Sequence, residues 1–138
     1  MSEWAMANLA PGTYRTHVRL GQARGSPRPG QTPAEHRALM LMTLPEADLV
    51  ALNGKVATIV EFIVWRPHEA IGQILFYRSL LPATPGYEDV LPENVTLKIV
   101  SGLEDLTFRT FANSLGISFE VYRPEWLSSA LAARRGRS

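Results

Sequence analysis

The dipeptide Asn53-Gly54, set between the apolar runs ADLVAL and KVATIVEFIV, constrains this chain more than any other feature. A two-residue hairpin turn with positive φ at both central residues favours Asn-Gly, so two antiparallel strands are expected around it. Pairing Leu52 with Lys55 across the turn sets Val50 opposite Ala57 and Asp48 opposite Ile59. Side chains alternate along a strand and opposed residues share a face. Asp48, Val50 and Leu52 then share a face with Lys55, Ala57, Ile59, Glu61 and Ile63. On this register Asp48 and Glu61 are diagonal neighbours, roughly 7–8 Å apart at the backbone.

Two carboxylates so placed can reach one divalent cation between them, because Mg²⁺ takes a few carboxylate oxygens and keeps its remaining waters. Single acids near strand ends are common and mostly solvated. Two like charges on a face of Val, Ala and Ile are different, since they cost energy unless a cation, a donor or water offsets them. After the hairpin, Pro67 suits the first turn of a helix running to Leu81, with Pro82 ending it. Ala70, Ile71, Ile74, the stem of Arg78 and Leu81 follow its 3.6-residue period. Gln73 and Tyr77 are four apart and stand one above the other on an adjacent face. A polar pair edging the core would look the same. His68 has no second His or Cys at ligand spacing and is expected in solvent.

The remaining elements follow from local signals. Thr13 to Leu20 reads as a strand, and the Gly- and Pro-dense stretch after it as a loop or arm carrying Arg24 and Arg28. Pro33 opens a helix with Thr32 as N-cap and Glu35 at the capping-box position, a role that explains Glu35 better than a site does. Leu39, Met42 and Thr43 are its expected inner face, and Pro45 stops it. Residues 82–93 form a Pro-rich loop, and Val95 to Val100 a β-branched, central strand. A helix from about Glu104 to Leu115 presents Phe108, Phe111, Ala112 and Leu115, and Gly116 ends it. Ile117 to Tyr122 is the last strand, and Pro124 starts a helix through Trp126, Leu127 and Leu131. Strand, helix, strand from 95 to 122 suits a parallel crossover. The expected architecture is a three-layer α/β sandwich whose mixed sheet opens with an antiparallel hairpin and continues helix-strand-helix-strand.

The 138 residues, 46% hydrophobic, suffice for one core and not two. Residues 1–32 form a strand and basic arm, 33–127 the α/β domain, and 128–138 a helix end and Arg-rich tail. No run approaches the ~18 apolar residues needed to span a bilayer. Met1 to Leu9 lacks the basic and apolar regions of a secretory signal. There is no cysteine, hence no disulfide or thiol–metal site. A cytoplasmic or particle-associated protein, neither secreted nor transmembrane, is expected. Residues 1–37 hold five Arg against two Glu, a net of +3, while 38–133 hold six basic against eleven acidic residues, a net of −5. Basic ends around an acidic body suit docking on a neighbour or on nucleic acid. Solvated termini would look the same. The candidate partner-binding residues are Arg15, Arg19, Arg24, Arg28, Arg134, Arg135 and Arg137.

The ordered set Asp48 in ADLV, Glu61 in VEFIV, and Gln73 with Tyr77 in QILFY resembles the PD-(D/E)XK nuclease superfamily, particularly its RecB-type and resolvase-like branch with a Gln-x-x-x-Tyr helix. The resemblance covers roughly residues 33–126 and implies a restriction-endonuclease-like fold. It also implies a Mg²⁺ site at Asp48 and Glu61, with Gln73 and Tyr77 facing metal and DNA. One residue departs from the pattern: the family carries a lysine two residues after the second acid, and Ile63 stands there. Isoleucine can neither polarise a phosphate nor orient water, so the four matching residues read as vestigial. Lys55, Lys98, Arg66 and Arg78 are the cations that could have migrated into its place, Lys55 standing about 20 Å from Glu61 at ~3.3 Å per residue. Two functions follow. The first is a non-catalytic assembly component without cofactor, bound to other subunits of an oligomer or complex and to DNA as a second candidate. Small proteins of this fold with degraded sites are similar to phage virion proteins of the head–tail junction. The alternative is a Mg²⁺-dependent DNA nuclease with a displaced catalytic cation.

Overall fold

The computed structural model of the chain describes residues 1–22, 24–64, 67–123 and 133. Five strands form one sheet in the order β1 (Tyr14–Arg19), β2 (Glu46–Asn53), β3 (Val56–Ile63), β4 (Val95–Ser101) and β5 (Ile117–Val121). The pairs β1–β2 and β2–β3 are antiparallel, whereas β3–β4 and β4–β5 are parallel. Among the described residues four helices accompany them: α1 (Ser2–Asn8), α2 (Pro33–Thr43), α3 (Pro67–Leu80) and α4 (Leu106–Ser114). Short 3₁₀ turns at Leu81–Ala83 and Pro92–Asn94 bound the loop between α3 and β4. Among the described residues no helix is long and apolar enough to cross a membrane.

The sheet is sandwiched. On one face Ile59, Leu97, Ile99, Ile117 and Phe119 meet Ile71 and Ile74 of α3 and Phe108 and Ala112 of α4. On the other, Leu49, Val60 and Val100 are covered by Trp4 and Ala5 of α1. Each fully buried side chain of this kind, Ile74 or Ile99 for example, contributes roughly 1.5–3 kcal/mol. This is the mixed α/β sandwich expected, a sheet with helices on both faces whose antiparallel hairpin is followed by helix-strand-helix-strand.

The hairpin forms with its register displaced by two. Asn53 pairs with Val56, Leu52 with Ala57 and Val50 with Ile59, so Gly54-Lys55 is the turn. Gly54 has φ of +62°, and Lys55 is not among the positive-φ residues. A positive φ at the first central position alone is the type II′ pattern, which spares Asn53 the left-handed conformation a type I′ turn would require. A shift of two preserves every residue's face while changing its partner. The same register carried past Leu49↔Val60 brings Asp48 opposite Glu61 and not Ile59.

A second local feature was not legible beforehand. The β1–β2 ladder runs through Arg15↔Val50 and Thr16↔Leu49, then resumes at Val18↔Ala47, skipping His17 and Asp48. His17 has φ of +55°, unusual in a strand for a residue other than glycine. Val50 belongs to the α3-side core and Leu49 to the α1-side core, as alternation requires, yet Ala47 and Val18 both rejoin the α3 side. The in-out pattern therefore reverses on both strands at the level of Asp48.

Other expectations need correcting. Residues 1–13 hold α1, which was not anticipated; Trp4 packs edge-to-face on Phe62 at 5.4 Å and its indole N–H donates to Glu120. Helix α2 starts as expected, with Thr32 Oγ1 accepting from the Glu35 N–H at 3.1 Å. It buries none of its residues, however, and Leu39, Leu41 and Met42 stand in solvent, Met42 with 73% of its surface exposed. On α3 the inner stripe is Ala70, Ile71, Ile74 and Tyr77, while Arg78 is exposed. On α4 only Phe108 and Ala112 are buried; Phe111 and Leu115 face outward. Asp105 caps that helix by accepting from the Phe108 N–H at 2.9 Å, and Gly116 ends it at φ +76°. The helix expected from Pro124 lies outside the described residues.

Candidate functional site

The two acids meet where the reversal opens the ladder between β2 and β3. The Asp48 backbone N–H donates to Glu61 Oε1 at 3.0 Å, and the Phe62 N–H donates to Asp48 Oδ2 at 2.8 Å. Each carboxylate thus satisfies an amide of the opposite strand. This crossed pair replaces ladder bonds with side-chain bonds, and no buried side-chain N or O atom is left without a partner among the described residues.

Glu61 is buried, with 6% of its surface exposed. Burial pushes its carboxyl up to about 8; the Asp48 N–H partly offsets this, and the Asp48 and Glu46 charges add to it. At neutral pH Glu61 is therefore largely protonated. Tyr77 of α3 lies beside the pair: burial raises its phenol, and the charges of Glu61, Asp48 and Glu46 raise it further. Glu46, at the start of β2, is engaged by His17 Nδ1 at 2.7 Å and by Arg19 at 3.2 Å.

The structure thus brings Asp48, Glu61 and Tyr77 together and leaves Gln73 exposed on α3. Ile63 packs against the α3-side core. Of the cations that could have replaced the lysine, Lys98 stands opposite Val60 and sends its Nζ over the Trp4 ring, 5.5 Å from the centroid. That is the α1 face, away from the acids. Lys55 is in the hairpin turn, and Arg78 borders a cleft with Leu75, Ser79, Pro82, Pro92 and Glu93. Arg66 lies outside the described residues.

Glu61 Oε1 and Asp48 Oδ2 accept from backbone amides, so a divalent cation here would be held by the second oxygen of each carboxylate, and among the described residues no group of three or more His, Cys, Asp or Glu is placed to hold one. Hydrogen-bonding reasoning could have found the crossed pair only with the correct register in hand. His17 and Glu46 were missed, because a strand histidine with positive φ leaves no trace in composition or period.

The arginines divide similarly. Arg19 pairs with Glu46 and donates to the Leu44 carbonyl, 3.0 Å away. The described residues of segment 21–31 form no helix or strand, but they are held by their own chain: the Gly21 N–H donates to Thr84 Oγ1 at 2.8 Å, and the Arg24 carbonyl lies 2.8 Å from His36 Nε2. Arg15 lines a cleft with Tyr87. Arg134, Arg135 and Arg137 lie outside the described residues.

No family model matches this chain, and no curated protein matches it. A crystal structure of a repair endonuclease from Pyrococcus abyssi is similar over 80% of this chain, with 12% identity and a TM-score of 0.42. This chain spans 40% of the length of that one. A likeness of that degree bears on neither the chemistry nor the partners of this chain.

Proposed function

We propose that this chain is a nuclease-like domain of the PD-(D/E)XK type that no longer hydrolyses DNA and serves as an assembly component. The observation that supports the reading is the crossed carboxylate–amide pair, in which Asp48 and Glu61 each hold a backbone amide and bind the two strands together. Ile63 packs against the core where the family's lysine would stand, and its side chain can neither stabilise developing phosphate charge nor activate water. Loss of a preorganised cation of that kind costs about 3–4 kcal/mol of transition-state stabilisation, some hundredfold or more in rate. The surface supports binding to protein: α2 buries none of its residues, and Phe76, Leu106 and Phe111 are also exposed on other helices. A place among virion subunits near a head–tail junction is the specific form of this proposal.

The test is incubation of labelled single- and double-stranded DNA with the protein in Mg²⁺ or Mn²⁺, beside Asp48→Ala. The expected result is no metal-dependent cleavage by either protein. The second reading, a Mg²⁺-dependent nuclease with a displaced cation, draws on the convergence of Asp48, Glu61 and Tyr77. Cleavage by the wild type that Asp48→Ala abolishes would establish that reading and overturn the first.

A further inference from the structure

A separate cleft of about 220 Å³ lies at the hairpin end of the sheet, between Gly12, Tyr14 and Arg15 on one side, Val50 and Leu52 beneath, and Gly86 and Tyr87 on the other. Its walls are mostly backbone and apolar side chains, but two polar groups converge on it. Tyr87 is almost wholly buried, 4% exposed, and its hydroxyl makes no hydrogen bond to any described residue. The ring is buried while the hydroxyl, which no described residue engages, stays accessible from the cleft and free to donate to a bound group. The Arg15 guanidinium stands beside it: Nη1 lies 3.8 Å from where a Cβ on Gly86 would be, and its charge is felt by the Tyr87 phenol. Arg15 forms no ion pair with any described residue.

We propose that this cleft binds an oxyanion such as a phosphate group, with Arg15 and Tyr87 as the donors. A guanidinium offers several N–H donors in a fixed fork matched to phosphate or carboxylate oxygens, and the phenol adds an O–H from the opposite wall. Gly12 and Gly86 both have positive φ, +80° and +95°, and lack side chains that would narrow the mouth. The acid nearest in sequence, Glu88, is turned to the Gly86 N–H at 2.9 Å and does not pair with Arg15. The bound group is either a free small phosphate or the terminal phosphate of a chain. The site lies apart from Asp48 and Glu61, so it stands or falls independently of whether the chain cuts DNA.

The experiment is an amide-resolved NMR titration of the full chain with inorganic phosphate at constant ionic strength, repeated with acetate. Parallel titrations use an oligonucleotide with a 5′ phosphate and the same oligonucleotide without it. Saturable shifts at Gly12, Thr13, Gly86 and Tyr87 are expected, weakened roughly tenfold by Arg15→Gln and by Tyr87→Phe. Tyr87→Phe keeps the ring and therefore the fold, so it separates lost donation from lost packing. Preference for the phosphorylated oligonucleotide over inorganic phosphate identifies a chain end as the source, and the reverse identifies a free phosphate. Tighter binding of acetate, shifts scattered over the arm at Arg24 and Arg28, or binding indifferent to both substitutions overturns the proposal.

Discussion

Replacing Glu61 with glutamine tests the buried acid directly. In the unfolded chain the carboxyl ionises near its ordinary value of 4.5, while in the folded protein burial pushes it up to about 8. Between those values the folded state holds a proton that the unfolded state has lost. Stability from the neutral carboxyl is therefore complete below about pH 4.5, and it declines as pH rises through 8. The slope is at most ~1.4 kcal/mol per pH unit, so wild type at pH 7 has forgone up to about 3 kcal/mol. Glutamine keeps an acceptor for the Asp48 N–H and carries no such linkage. Urea denaturation at pH 5, 6, 7 and 8 should show wild type weakening relative to Glu61→Gln, with the variant the more stable at pH 7 and the gap closing at pH 5. Mg²⁺ should leave the wild-type midpoint unmoved, since only a ligand of the folded state raises it. A gap that does not widen with pH, or a wild type stabilised by millimolar Mg²⁺, would mean that Glu61 is ionised and available to metal. The reasoning here would then fail.

Three further outcomes are expected. Asp48→Ala removes the acceptor of the Phe62 N–H and should cost about 1–3 kcal/mol in urea denaturation, against little or nothing for an exposed control such as Glu93→Ala. Ile63→Lys restores the nuclease pattern and should lower stability without giving cleavage in Mg²⁺, because one oxygen of each carboxylate stays on a backbone amide; cleavage gained by that variant would show that the lysine alone was lacking. Trypsin should cut first at Arg24 or Arg28, in a segment without helix or strand, and full resistance there would place the arm in the folded core.

The sheet and its faces were readable because they depend on parity, and a turn displaced by two residues leaves parity intact. The parallel half was readable from β-branched strands alternating with a helix that ends at Gly116. What could not be read is where alternation fails. His17 takes a left-handed backbone conformation, and Ala47 changes side relative to Leu49, yet nothing in their residue types marks this. Helix α1 was hidden for another reason: it buries only Trp4 and Ala5, too few for a period to show. Helix α2 misled in the opposite way, since its apolar residues predict an inner face and the fold gives it none. Lys98 was ambiguous until the parallel register set it opposite Val60 and turned it toward Trp4.

The contact of α1 with β5 has a consequence for the order in which the chain can fold as it is made. Trp4 and Glu120 are 116 positions apart, and the Tyr122 hydroxyl donates to Glu3 at 3.2 Å across a similar gap. Helix α1 is made before every strand, but its hydrogen-bond partners Glu120 and Tyr122 follow the first four strands. At ~5–20 residues per second, α1 waits several seconds for those two partners. Until they arrive its cover over Leu49, Val60 and Phe62 lacks both of those hydrogen bonds. A slower ribosome lengthens the interval in which that face meets other nascent chains. Synthesis rate, more than equilibrium stability, should therefore govern how much of this protein is recovered soluble.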